Sequence, residues 1–203
     1  MSQVPSPVRL LVISGSARHG SYNRQLADLA ERKAQALGAQ TTSVDLAVLD
    51  MPLFHPEWEA QHGVPAGALK LRALFAAHDG LILACPEYNA LPTPLLINSF
   101  DWLSTVPEGE GLPAGTQNTA TKPVGLLAAS PGALGGIRAL PIVRTFLSTN
   151  FAMVVVPEQL GLPLAHQAFD EAGELNKPDL DKVLNKLVAS VIQQARWRLA
   201  ALA

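Results

Sequence analysis

Cysteine is almost absent: Cys85 is the only one in 203 residues. No internal disulfide can form, and a reducing compartment, the cytoplasm, is the expected setting. Charge is also sparse, at 16% Asp, Glu, Lys and Arg, with a formal net charge of −2. A nucleic-acid binder would show a basic patch, so that class is excluded. A dedicated electron carrier would steer to basic partners with a strongly acidic surface, which the near-balance also disfavours. No apolar run approaches membrane length, so no membrane partner is expected. The start, Met-Ser-Gln-Val-Pro-Ser-Pro-Val, lacks a basic region followed by an apolar core, so no signal peptide is expected. The five histidines are scattered, without paired helical spacing or cysteine partners, which argues against a metal site. There is no Gly-x-Gly-x-x-Gly, no Walker lysine, and no Gly-x-Ser-x-Gly elbow around Ser16. Tight dinucleotide binding, NTP binding and hydrolase chemistry thereby lose support.

What the sequence does have is a 48% hydrophobic fraction, enough for the full core of one folded domain over 1–203. Short apolar runs alternate with helical periods. Strands are expected at 10–13, 41–46, 80–85, 124–129 and 152–156. Helices are expected from Tyr22 to about Gly38, over 69–77, from Pro94 to about Ser104, from Ala139 or Leu140 to about Asn150, and from Pro178 onward. Thr93 suits a helix cap with Pro94 in the first position. The stretches 50–67, 86–92, 106–122 and 157–178 read as loops. Strand–helix alternation implies a parallel sheet covered on both faces through right-handed crossovers. The expected fold class is α/β, a flavodoxin-like three-layer sandwich of five strands in the order 2-1-3-4-5. Ligands in such sheets sit beyond the carboxyl ends of the strands.

The first loop there, Ser14–Ser21, runs from a buried strand into a helix, where free backbone amides converge on one spot. Gly15 and Gly20 permit sharp turning, Ser16, Ser21 and Asn23 offer neutral donors, and Arg18 offers a planar fork suited to phosphate. No acid occurs before Asp28 to oppose the helix dipole, so an external anion could fill that role. Taken alone, the loop is equally compatible with Ser21 as a simple cap and Arg18 as a solvated side chain. The second loop, Pro86-Glu87-Tyr88-Asn89, follows a strand that Pro86 terminates, so its next amides project beyond the sheet. A flat heteroaromatic edge would satisfy them, with Tyr88 adding an aromatic face. A plain turn with Glu87 solvated is the competing reading. The third loop is the glycine-rich Ser130–Gly136.

Four blocks together, Gly15-Ser16-x-Arg18-x-x-Ser21-x-Asn23, Pro86-Glu87-Tyr88-Asn89, Asn98-Ser-Phe-Asp101-Trp102-Leu-Ser104 and Ser130-Pro-Gly132-x-x-Gly135-Gly136-x-Arg138, resemble the NADPH-dependent FMN reductase family. The resemblance spans about residues 9–156. It implies that Ser16, Arg18, Ser21 and Asn23 hold an FMN phosphate. It further implies that Pro86, Glu87, Tyr88 and Asn89 line the isoalloxazine ring, with Ser130 and Gly132 flanking the ribityl chain and ring. The implied activity is hydride passage from NAD(P)H through FMN to small acceptors such as quinones, free flavin, azo dyes or chromate, with no side chain as acid, base or nucleophile. Relatives often carry a lysine where Ile97 stands, and a Val/Ile-Pro pair soon after the Tyr-Asn; both departures bear on acceptor preference. Asp101 and Trp102 are expected to pack in the core. The last helix's stripe from Leu180 to Ala195 and the Leu95–Ile97 patch suggest surplus apolar surface, and with the resemblance predict a homodimer or homotetramer. The alternative reading is a non-enzymatic FMN-binding carrier or flavin-sensing interaction protein.

Overall fold

A computed structural model describes residues 6–202; the polar start at 1–5 and residue 203 lie outside the described residues. In chain order the elements are β1 (Arg9–Ser14), α1 (Tyr22–Ala36), β2 (Gln40–Asp45), α2 (Pro56–His62), α3 (Ala66–Ala77), β3 (Gly80–Ala84), β4 (Glu87–Tyr88) and β5 (Leu91–Pro92). They continue as α4 (Pro94–Thr105), α5 (Gly115–Thr119), β6 (Pro123–Ala129), α6 (Ala139–Asn150), β7 (Val154–Leu162) and α7 (Pro178–Leu202).

Five strands form one parallel sheet in the order β2-β1-β3-β6-β7. Counting only that sheet's strands, this is the expected 2-1-3-4-5. β1, β3 and β6 are buried on both faces because each is an apolar run, and alternate side chains enter two cores. Leu10 and Val12 face α1 and α7; Leu11 and Ile13 face α3, α4 and α6. The stripe of α7 is spent against the sheet, with Leu184, Leu187, Val188, Val191, Ile192 and Ala195 all buried. Most of the stripe therefore supplies no surplus surface for assembly, and Leu96 is buried as well, while Leu180 is partly buried and Val183 is exposed.

Four expectations about local structure need correction. The stretch 50–67 is not all loop: α2 forms within it, started by Pro56 and by the His55 ring nitrogen, which accepts from the Glu57 amide at 3.2 Å. The loop at 86–92 contains the hairpin β4-β5, and the connection at 106–122 contains α5. The last strand runs to Leu162, six residues past its expected end. Pro157 masked it. β7 is an edge strand with a register shift opposite Val124 and Leu126, where a missing N–H is tolerated. The Arg144 guanidinium donates to the Val155 and Val156 carbonyls at 3.1 and 2.9 Å, satisfying the irregular segment.

Candidate functional site

The three loops at the carboxyl ends of β1, β3 and β6 come together at one rim of the sheet. Between them lies a cleft of about 430 Å³ lined by Ser16, Arg18, Ser21, Tyr22, Asn23, Pro86, Glu87, Tyr88, Ala129, Ser130 and Pro131. Its size is in the range of small-ligand sites. A larger hollow of about 990 Å³ lies at the amino ends of the strands, against Pro7, Val8, Trp197 and Leu199. It is mostly apolar and sits at the end of the sheet that parallel folds do not use for ligands.

The first loop is built to receive an anion. The amides of Ser16, Ala17, His19, Gly20, Ser21 and Tyr22 have no hydrogen-bond partner among the described residues. Ser16 and Ser21 are nearly buried, at 6% and 3% exposure, so their hydroxyls face a confined space. Ser21 does cap α1, its Oγ accepting from the Asn23 and Arg24 amides at 3.2 and 3.4 Å. The first turn of α1 holds no acid, so its dipole remains open to a negative charge. Arg18 is exposed, forms no ion pair among the described residues, and lies 5.0 Å above the Tyr22 ring. Gly20 has φ of 64°, a glycine conformation, whereas a Cβ on Gly15 would meet only ordinary contacts at 3.5 Å. Turning thus depends on Gly20, and Gly15 is not needed for it.

Asn23 has a different use from a free donor. Its Nδ2 donates to the Ala129 carbonyl at 2.8 Å and its Oδ1 accepts from the Ala129 amide at 2.9 Å. This pair ties the start of α1 to the end of β6 and so joins the first loop to the third. Thr93 ties the first loop to α4 in the same way, donating to the Gly15 carbonyl at 2.8 Å.

In the second loop Pro86 is buried and Tyr88 is 50% exposed. The hairpin turn is Asn89-Ala90, with φ of 53° and 69°, and neither amide has a partner among the described residues. Asn89 itself stands outside the cleft lining. The Glu87 side chain is only 7% exposed and is fully engaged with Arg138 and the start of α6. Burial pushes its carboxyl up, but the Arg138 hydrogen bond and the two helix amides outweigh that and hold it below the usual range.

The third loop can approach because of two glycines. Gly135 and Gly136 have φ of 63° and 78°, and a Cβ on them would lie 2.7 Å from the Leu162 backbone and 2.9 Å from Ala128 Cβ. Gly132 lies outside the cleft lining; its amide donates to Ser130 Oγ at 3.1 Å. Of the expected site residues, then, the cleft gathers Ser16, Arg18, Ser21, Asn23, Pro86, Glu87, Tyr88 and Ser130, and leaves Asn89 and Gly132 at its edge. Sequence reading missed Tyr22, Ala129 and Pro131. Tyr22 was the findable one: an aromatic four residues after Arg18, at a helix start, is placed to meet a guanidinium. Cys85 is buried beneath the loops, and burial pushes its thiol up to about 12, so it is inert there.

Known proteins resemble this chain in sequence and in fold. The NADPH azoreductase of Bacillus sp. (strain OY1-2) is 32% identical over 194 residues, 95% of this chain and 98% of that one. The quinone reductase of Escherichia coli (strain K12) is 29% identical over 184 residues, 90% of this chain and 93% of that one. Among solved structures, the FerB flavoenzyme, an NAD(P)H:(acceptor) oxidoreductase of Paracoccus denitrificans, has a TM-score of 0.73 at 20% identity. It covers 93% of this chain and 97% of its own, and at that identity the likeness concerns the fold. A family profile described as NADPH-dependent FMN reductase matches residues 8–167, and the chain belongs to that family.

Proposed function

We propose that the cleft holds FMN and that the protein is an NAD(P)H-dependent reductase of small acceptors, quinones, azo dyes, chromate and free flavin among them. FMN and NAD(P)H are the cofactors that go with the family. The observation that carries the reading is the first loop: six unpartnered amides, two confined hydroxyls and an unpaired guanidinium around one helix start. That donor set suits a phosphate dianion and little else. Bound FMN supplies two-electron chemistry, uptake of hydride from a nicotinamide and release to an acceptor.

The chain's own residues bind and orient. Ser16, Arg18 and the loop amides grip the phosphate end, while Asn23 keeps that grip in register with the third loop. Pro86 and Tyr88 present a wall and an aromatic face toward the ring, and the free Asn89 and Ala90 amides are donors at its edge. Ser130 flanks the chain between ring and phosphate. Gly132, with its amide engaged, serves this region through its backbone shape. Tyr88, half exposed, borders the open side through which a nicotinamide and then an acceptor would reach the ring. A single domain carries all of this.

No helix among the described residues is long and apolar enough to cross a membrane, and a buried free thiol suits the cytoplasm. Assembly as a homodimer or homotetramer is part of the same reading, supported by exposed apolar side chains such as Val48, Leu53 and Leu91.

The decisive experiment is to load the purified protein with FMN, add NADPH or NADH without oxygen, and then add a quinone. Bleaching of the yellow flavin absorption, followed by recovery and repeated turnover on the quinone, is expected. A flavin that stays yellow with both nucleotides would make the protein a carrier, and a protein that binds no FMN would remove the reading.

A further inference from the structure

The Glu87 carboxylate has no capacity left for a ligand. Its Oε2 accepts from the Arg138 and Ala139 amides at 2.9 and 3.2 Å. Its Oε1 accepts from Arg138 Nε at 2.8 Å and also from the Arg138 Nη2. The helix it meets, α6, is twelve residues long, has no acid in its first turn, and takes no cap from its own N-cap side chain. Glu87 therefore supplies from another loop the negative charge that this helix start lacks. The approach is close: a Cβ on Gly136 would lie 3.6 Å from Glu87 Cβ. Glu87 belongs to the hairpin after β3, and α6 follows directly on the loop after β6. Both sides line the cleft: Pro86, Glu87 and Tyr88 from one, and Ala129 at the end of β6 with Ser130 and Pro131 of the loop after it from the other.

We propose that Glu87 is a positioning residue: its buried carboxylate spans from the hairpin to the start of α6 and fixes the separation of the two walls between which the flavin ring lies. This rests on the FMN reading above. The carboxylate acts on the ring through the backbones it holds. The Arg138 guanidinium is only part of the link, because the Arg138 and Ala139 amides still engage the carboxylate when it is removed. The phosphate grip belongs to the first loop, which makes no hydrogen bond to Glu87 or Arg138 among the described residues.

The test uses the full-length protein with FMN and with riboflavin, which lacks the phosphate. Affinity is read by titration, and ring order by circular dichroism in the visible flavin bands at saturating FMN. A residue that merely stabilises the fold would leave the spectrum of the saturated complex unchanged. Glu87→Gln puts an amide donor where all the partners are donors. It is expected to weaken both flavins by about the same factor, on the order of tenfold, and to flatten the visible dichroism while FMN remains bound. Arg138→Ala should show the same pattern in milder form and keeps the test alive if Glu87→Gln fails to fold. Wild-type affinity and dichroism in both variants would overturn the positioning role while leaving the flavin reading intact. Loss of FMN affinity with unchanged riboflavin affinity would also overturn it, since the link would then act on the phosphate. Wild-type protein that binds neither flavin would overturn the FMN reading and the proposal with it.

Discussion

Ala90 carries a backbone conformation that alanine seldom adopts. With Asn89 at φ 53° and Ala90 at φ 69°, joining paired strands at Tyr88 and Leu91, the turn has positive φ at both central positions, as a type I′ hairpin requires. Asparagine tolerates the first position, but the second favours glycine, and alanine there costs roughly 1–2 kcal/mol. Glycine would add back part of that as unfolded-state entropy, roughly 0.4–1 kcal/mol. Ala90→Gly is therefore expected to stabilise the flavin-free protein by about 0.5–1 kcal/mol, read as a higher midpoint in urea at constant slope. An unchanged or lower midpoint would mean that the turn stores no strain. The same geometry bars Asn89→Pro as a probe of the turn amide, since proline cannot reach positive φ.

At the scale of elements, the start of α6 and the end of α3 are served by side chains from elsewhere in the chain, and this is the least legible feature. The apolar strands, their order and the convergence of three loops could be read because burial writes itself into composition. Neither the Glu87 link to α6 nor the α2 turn leaves such a signature, since one carboxylate in a loop reads as solvated and prolines read as coil. Lys122 is a second case. Its buried Nζ donates to the Phe75 and His78 carbonyls, closing the end of α3. Burial, with Arg198 as the next cause, pulls this amine down to about 8. A neutral amine still has two N–H groups for two carbonyls. Between about pH 8 and the ordinary lysine range, the unfolded chain binds the extra proton and the folded one does not, so stability rises with pH there. The expected slope is positive and at most about 1.4 kcal/mol per pH unit. Denaturation midpoints measured at pH 7.5 to 9.5 (approximate window) should climb in the wild type, and Lys122→Met should flatten that climb while lowering stability throughout. A wild-type slope equal to that of Lys122→Met would assign the climb to other groups.

For the whole molecule, the site and the outer surface are linked through α4. Within the Asn98–Trp102 block, Asp101 and Trp102 read in sequence as core packing; Trp102 is fully buried and Asp101 only partly so. The block's polar atoms do something more. Asn98 Nδ2 and Trp102 Nε1 donate to the Pro52 carbonyl at 2.9 and 2.7 Å, while Asn98 Oδ1 accepts from the Phe54 amide at 2.7 Å. Three hydrogen bonds thus pin the backbone on both sides of Leu53, whose side chain is left 80% exposed. Val48, 72% exposed, lies just before it. A leucine held outward by a fixed backbone loses little conformational entropy on being covered, which favours burial against a second copy. In a two-fold dimer each such side chain counts twice. At about 1.5–3 kcal/mol per buried leucine, Leu53→Asp would weaken association by roughly 3–6 kcal/mol, or about two to four decades in Kd. Sedimentation should then show a dimer or tetramer for the wild type and smaller species for Leu53→Asp at the same concentration. The fold itself should be unaffected, because Leu53 buries almost nothing within its own chain. A variant that sediments as the wild type would place the contact elsewhere, and a monomeric wild type would remove assembly from the account.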